Sequence, residues 1–121
     1  PEKKEAGERL ICVFGSTGGG RDTWKRPTIG TLADEYCDIA ILTDEDPYDE
    51  HPMHIIADIA KGFSRLNPRI IENRREAIRG AFRLAHTGDT ILITGKGTDP
   101  YIMRAKGAKE EWSDKRVAEA R

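Results

Sequence analysis

The chain has 121 residues, enough for one domain with a real core. Lys and Arg number 20 and Asp and Glu 21, a net charge of −1, which excludes nucleic-acid binding driven by overall charge and leaves at most a local basic patch. No apolar run approaches the roughly 18 residues of a membrane span, and no charged-then-apolar leader stands at the start, so neither a membrane nor secretion is expected. Cys12 and Cys37 lack a CxxC spacing and nearby histidine ligands. They are expected as reduced core thiols in a reducing cytoplasm rather than as a disulfide or metal pair.

In chain order, residues 1–9 are polar and read as a linker. The chain begins with Pro1 rather than Met, which suggests a fragment or an excised domain. Leu10-Ile11-Cys12-Val13-Phe14 is a short apolar run ending in glycine, the pattern of a strand buried on both faces. Ile29, Leu32, Ala33 and Tyr36 recur at helical spacing. Asp38 to Thr43 is a second buried strand. Pro52 suits a first helical turn, and Ile55, Ile56, Ile59, Ala60 and Phe63 form the stripe of a second helix. Arg69-Ile70-Ile71-Glu72 is a short third strand. Asn73 and Glu76 have capping-box spacing ahead of a third stripe, Ile78, Ala81, Phe82 and Ala85, with Gly88 placed to end that helix. Thr90 to Thr94 is a fourth strand. A hairpin between Tyr101 and Trp112 and a short helix from Ser113 to Arg121 complete the chain. Buried strands alternating with amphipathic helices imply an α/β fold with a mostly parallel sheet flanked by helices. Ligands of such sheets sit at the carboxyl ends of the strands.

Three polar loops follow the three best strands. The first, Gly15-Ser16-Thr17-Gly18-Gly19-Gly20-Arg21-Asp22, continues to Lys25-Arg26-Pro27. It fits neither GxGxxG nor GxxxxGK[ST], so it is no dinucleotide fingerprint and no Walker loop. It is either a flexible connector or an anion clamp in which Arg21 grips a carboxylate with its fork. The second, Thr43 to Glu50, packs five acids into the seven positions from Asp44. It is either a solvated turn before a helix or a recognition site for an ammonium group; a divalent cation is the weaker option, and EF-hand spacing is lacking. The third, Gly95-Lys96-Gly97-Thr98-Asp99-Pro100-Tyr101, allows close backbone approach to a ligand or is an ordinary strand exit. His51, His54 and His86 do not form a metal set and are expected as surface imidazoles.

Together these segments resemble the Mur ligase family. The glycine-rich turn with Arg21-Asp22 and Lys25-Arg26-Pro27 resembles that family's first loop. Thr43-Asp44-Glu45-Asp46-Pro47 is similar to its TDDNP segment, and Asn73-Arg74-Arg75-Glu76-Ala77-Ile78 to its D-R-x-x-A-I helix start. Gly88-Asp89-Thr90 leading to Gly95-Lys96-Gly97 is similar to its GD and GKG run, and Trp112-Ser113-Asp114-Lys115 to its closing F-x-D-R. The matches run in order from Leu10 to the end and lie nearest the tripeptide-synthetase branch.

The resemblance implies a Rossmann-like C-terminal domain over residues 10–121, with 1–9 linking it to missing N-terminal and central domains. It implies a cytoplasmic ligase that uses ATP and Mg2+ to join L-lysine or meso-diaminopimelate to UDP-MurNAc-L-Ala-D-Glu in peptidoglycan synthesis. The family's GTNGKT loop is absent from the chain, so no catalytic residue, no metal site and no tightly bound cofactor is expected of this domain alone. Arg21 would hold the amino acid's α-carboxylate, Gly95 and Asp99 its far ammonium, and Asp46 and Tyr48 would line the specificity loop. Lys25, Arg26 and Arg74 would serve the nucleotide or domain closure. The first loop is one residue longer than the family's, with Gly20 for aspartate; Asp46 stands for asparagine, Tyr48 for arginine and Asp99 for glutamate. These departures tilt the expectation toward lysine or a similar basic amino acid. The alternatives are a stand-alone α/β small-molecule-binding module and a folylpolyglutamate or cyanophycin type of ligase.

Overall fold

A computed structural model describes residues 8–16 and 23–94, and the backbone of 101–103 and 109–111. The elements alternate as expected: β1 (Leu10–Phe14), α1 (Lys25–Tyr36), β2 (Ile39–Leu42), α2 (Pro52–Ala60), β3 (Arg69–Ile70), α3 (Arg74–Leu84) and β4 (Thr90–Ile93). Strands β5 (Tyr101–Met103) and β6 (Lys109–Glu111) pair antiparallel, as the expected hairpin requires. The closing helix expected over 113–121 lies outside the described residues.

The main sheet has the order β3-β2-β1-β4, with every neighbouring pair parallel. The chain moves outward from β1 to β2 and β3, then crosses back to place β4 on the other side of β1. The strand order thus reverses between β1 and β4, the place at whose carboxyl edge ligands of such sheets bind.

The side-chain alternation of β1 builds two cores. Ile11 and Val13 join Ile41 and the α3 residues Ala77, Ile78 and Ala81 on one face. Cys12 and Phe14 join Ala40, Leu42 and the α2 residues Ile55, Ile56 and Ile59 on the other. Asn73 caps α3 by accepting the Glu76 amide at 3.0 Å, and Pro52 opens α2 behind the cap His51.

Four details depart from the sequence reading. The third strand ends at Ile70, not Glu72. Gly88 does not terminate α3, which ends at Leu84 with Ala85 as its cap; it sits at φ 94° in the following turn, closed by the Asp89 amide on the His86 carbonyl. The cysteines are not separate thiols, because Cys12 and Cys37 are joined as a disulfide with Cα atoms 6.3 Å apart. Parallel pairing sets Cys12 against Ala40, which brings the residue following α1 alongside it; a spacing of 25 residues carries no such information.

The fourth departure concerns α1. Of the expected stripe, Ile29 and Ala33 pack half-buried against the core that holds Ile55, Ile56 and Ile59, whereas Leu32 and Tyr36 are 52% and 65% exposed, and the helix also buries Arg26, Gly30 and Asp34. The cause is the close approach of α2. A Cβ on Gly30 would lie 2.0 Å from the Ile59 carbonyl oxygen, and one on Gly62 would lie 2.0 Å from that of Pro27. At such separations large apolar side chains have no room, so the flanking positions carry groups that bond across the seam.

Candidate functional site

Strands β1, β2 and β4 are parallel neighbours, so the three polar loops leave from one edge of the sheet. Their roots are locked together. Gly15 packs so closely on loop two that a Cβ there would stand 2.3 Å from the Thr43 carbonyl oxygen. The Thr43 amide bonds the Phe14 carbonyl, and the Thr94 amide the Val13 carbonyl. Thr43 and Asp44 are buried, and both reach the Glu72 carbonyl, through a hydroxyl at 3.1 Å and an amide at 3.2 Å.

The acid run of loop two is not a uniformly solvated turn. Asp44 is buried, Glu45, Asp46 and Glu50 are half-buried, and Tyr48 and Asp49 are exposed. Tyr48 adopts φ 53°, a left-handed conformation that is an outlier for a bulky aromatic residue. Such backbone costs on the order of 1–3 kcal/mol and clusters at ligand clamps. Tyr48, two residues after Asp46, is 38% exposed at the loop's outer turn, closed by the Glu50 amide on the Pro47 carbonyl.

The candidate residues divide by location. Asp46 and Tyr48 stand together on loop two. Arg21, Gly95 and Asp99 lie outside the described residues. Lys25 is exposed at the start of α1, its ammonium 5.4 Å from the ring centre of Trp24, itself 70% exposed. Arg26 is fully buried. Its guanidinium forks onto Glu50 at 2.7 and 2.9 Å and reaches Asp58 at 3.1 Å, stitching α1 to loop two and α2. The Glu50 bond holds the Arg26 pKa above its usual value. Burial pushes Asp58 up, but Lys61 and Arg26 more than offset it and leave its pKa lowered. Arg74 is buried beneath the loops and donates to the backbone carbonyls of Asp44 and Thr94.

Glu50, His54 and Asp58 bring a potential metal-ligand atom each within 4.8 Å of one another. The Arg26 cation already bonds both carboxylates, which argues against a second cation there. His54 contacts Glu50 at 3.1 Å. The expectation of surface imidazoles holds for exposed His54, while the His51 ring also accepts the Met53 amide as a helix cap.

Two further carboxylates brace the frame. Asp34 accepts the amides of Leu66, Arg65 and Ser64, and these bonds bring its pKa down to about 2. Asp89 accepts the His86 amide and pairs with Arg9 at 2.9 Å, with the same result of about 2. Sequence reasoning missed Glu50, Asp58 and Asp34 as partners, since no local spacing links them to residues 24 to 32 positions away.

A four-stranded parallel sheet flanked by helices, whose strand order reverses between β1 and β4, with bonded loop roots at the carboxyl edge, defines an α/β domain of the Rossmann-like class. The family profile described as Mur ligase, glutamate ligase domain, matches residues 2–97, and the chain belongs to that family. It is 42% identical over 118 residues, or 98% of its length, to a UDP-N-acetylmuramoyl-L-alanyl-D-glutamate–2,6-diaminopimelate ligase of Chromobacterium violaceum, covering 24% of that protein. The ligase of the same name from Aquifex aeolicus is 46% identical over 110 residues, 90% of this chain and 22% of its own. A solved structure of a ligase with that name superposes with a TM-score of 0.82 at 33% identity, covering 93% of this chain and 23% of the other. The chain thus spans about a quarter of the length of the relatives it matches. No helix among the described residues is long and apolar enough to cross a membrane.

Proposed function

We propose that this chain is the amino-acid-binding domain of a cytoplasmic, ATP-dependent ligase that adds a diamino acid to UDP-MurNAc-L-Ala-D-Glu in peptidoglycan synthesis. The observation that carries the reading is the convergence of three loop roots at one sheet edge in a chain whose relatives are named for this reaction. The chain holds no GxxxxGK[ST] loop. The triphosphate and its Mg2+ therefore fall to the N-terminal and central domains of the ligase, and this domain contributes the hold on the incoming amine. The linker and domain boundaries at residues 9 and 10 belong to the same reading.

Arg21 takes the α-carboxylate by its planar fork. Asp99 and the Gly95 backbone take the far ammonium, and Asp46 and Tyr48 close the outer side. Holding both ends fixes the reacting nitrogen in line with the activated carboxyl, and orientation of this kind is worth up to roughly 7–11 kcal/mol of barrier. Closure of this domain on its neighbours excludes water from the activated carboxyl. The acid-rich loop suits a side-chain ammonium, which both candidate amino acids carry. The names of the relatives favour diaminopimelate, and tyrosine at position 48 favours lysine.

The test is phosphate release by the full ligase with ATP, UDP-MurNAc-L-Ala-D-Glu and either amino acid. Release that depends on meso-diaminopimelate or on L-lysine supports the reading and names the substrate. Release with neither, or only with glutamate on a folate acceptor, rejects it.

A further inference from the structure

Arg74 occupies the first turn of α3 and is 2% exposed. One guanidinium nitrogen donates to the Asp44 carbonyl at 3.0 Å and the other to the Thr94 carbonyl at 2.9 Å. These carbonyls stand just past the ends of β2 and β4, which lie on opposite sides of β1. Strands separated by a third are about 9.5 Å apart. A single planar group therefore draws together two loop roots that the sheet itself keeps apart. The site of attachment is firm, because Asn73 caps α3 at the preceding residue and the Glu72 carbonyl before it already holds Thr43 and Asp44.

We propose that Arg74 is a positioning residue that fixes the separation between the root of loop two at Asp44 and the end of β4 at Thr94, and with it the spacing of the amino-acid contacts that loops two and three carry. The inference rests on the function proposed above. It differs from a nucleotide role in what the fork holds, two backbone carbonyls at the loop roots. Arginine is required for its shape. A lysine ammonium has the charge but not the two divergent donors of a fixed fork.

The test uses Arg74→Lys and Arg74→Met, in this chain for amide hydrogen exchange and in the full ligase for kinetics. Thermal melting of the unliganded chain confirms that each variant is folded. In Arg74→Lys the amides of Asp44 and Thr94 are expected to exchange at least about tenfold faster, while those of Cys37 and Lys61, at the ends of α1 and α2, are unchanged. Misplacing the two loop roots is expected to raise the amino-acid KM by roughly tenfold or more. The ATP KM is expected to stay within about twofold. Unchanged exchange at Asp44 and Thr94 overturns the clamp. A raised ATP KM with an unmoved amino-acid KM overturns it in favour of a nucleotide contact. Faster exchange with both KM values unmoved leaves the clamp standing and counts instead against the amino-acid reading of the loops.

Discussion

Replacing Arg26 with methionine keeps the length of the side chain and removes the charge that α1 shares with loop two and α2. The wild-type guanidinium is fully buried and makes three charge-assisted contacts, two to Glu50 at 2.7 and 2.9 Å and one to Asp58 at 3.1 Å. Removing one partner of a buried pair costs about 3–5 kcal/mol, because the stranded charges stay desolvated. The Glu50 and Asp58 side chains retain 14% and 16% of their exposure, so water recovers part of that loss and the expected cost is near the lower bound, about 3 kcal/mol. At a urea slope of roughly 2 kcal/mol per M, the unfolding midpoint falls by about 1.5 M. Glu50→Gln and Asp58→Asn placed in the Arg26→Met background should recover part of the loss, since they remove the stranded charges; the cycle isolates that coupling. A midpoint shift equivalent to less than about 1 kcal/mol, the value of an exposed pair, would refute the burial argument. Wild-type stability combined with a raised ATP KM in the full ligase would refute the seam role itself.

Three further outcomes follow from the same structure. Gly30→Ala gains up to about 1 kcal/mol of helix propensity, but its Cβ meets the Ile59 carbonyl oxygen at 2.0 Å. Overpacking of about 1–3 kcal/mol or more should win, and a urea midpoint at or above wild type would contradict this. Asp34 and Asp89 have folded pKa values of about 2, below the ordinary 3.8, so their stabilisation is complete well above 3.8 and drains away as pH falls from there through 2. Urea midpoints measured across that range should fall in the wild type and flatten in an Asp34→Asn, Asp89→Asn double variant; a flat wild-type profile would count against the two bonded carboxylates. Arg21→Ala in the full ligase should raise the amino-acid KM at least about tenfold, as the loss of a charge-assisted bond predicts. An unchanged KM would remove Arg21 from the site.

The legibility of the chain varied with the range over which each feature is encoded. Apolar runs marked β1, β2 and β4, and local chemistry marked the Asn73 cap and Pro52, because each is set within a few residues. The face of α1 was read in part: Ile29 and Ala33 pack on the core as expected, but the rest of its burial is dictated by α2, with Gly30 needed at a backbone contact and Arg26 and Asp34 facing partners that begin 24 and 30 residues on. The Cys12–Cys37 pairing needed the β1–β2 register for the same reason. At the candidate site, the positions of Asp46 and Tyr48 at the loop-bearing edge were legible from the motifs, whereas the left-handed backbone of Tyr48 and the bridging by Arg74 depend on how three separate strands end.

The seam between α1 and α2 differs in kind from the two cores. Beside the packing of Ile29 and Ala33 it is closed by glycine contacts, the Arg26 ion pairs and the amide bonds of Asp34, whereas the sheet faces are closed by apolar side chains. Acid weakens the first kind of closure by protonating its carboxylates and leaves the second nearly untouched. Lowering the pH is therefore expected to loosen the α1–α2 seam before the sheet opens, with the Cys12–Cys37 disulfide keeping the C-terminal end of α1 on β1. Amide exchange followed as pH is lowered would show it as early loss of protection across Lys25–Tyr36 with β1 and β2 still protected.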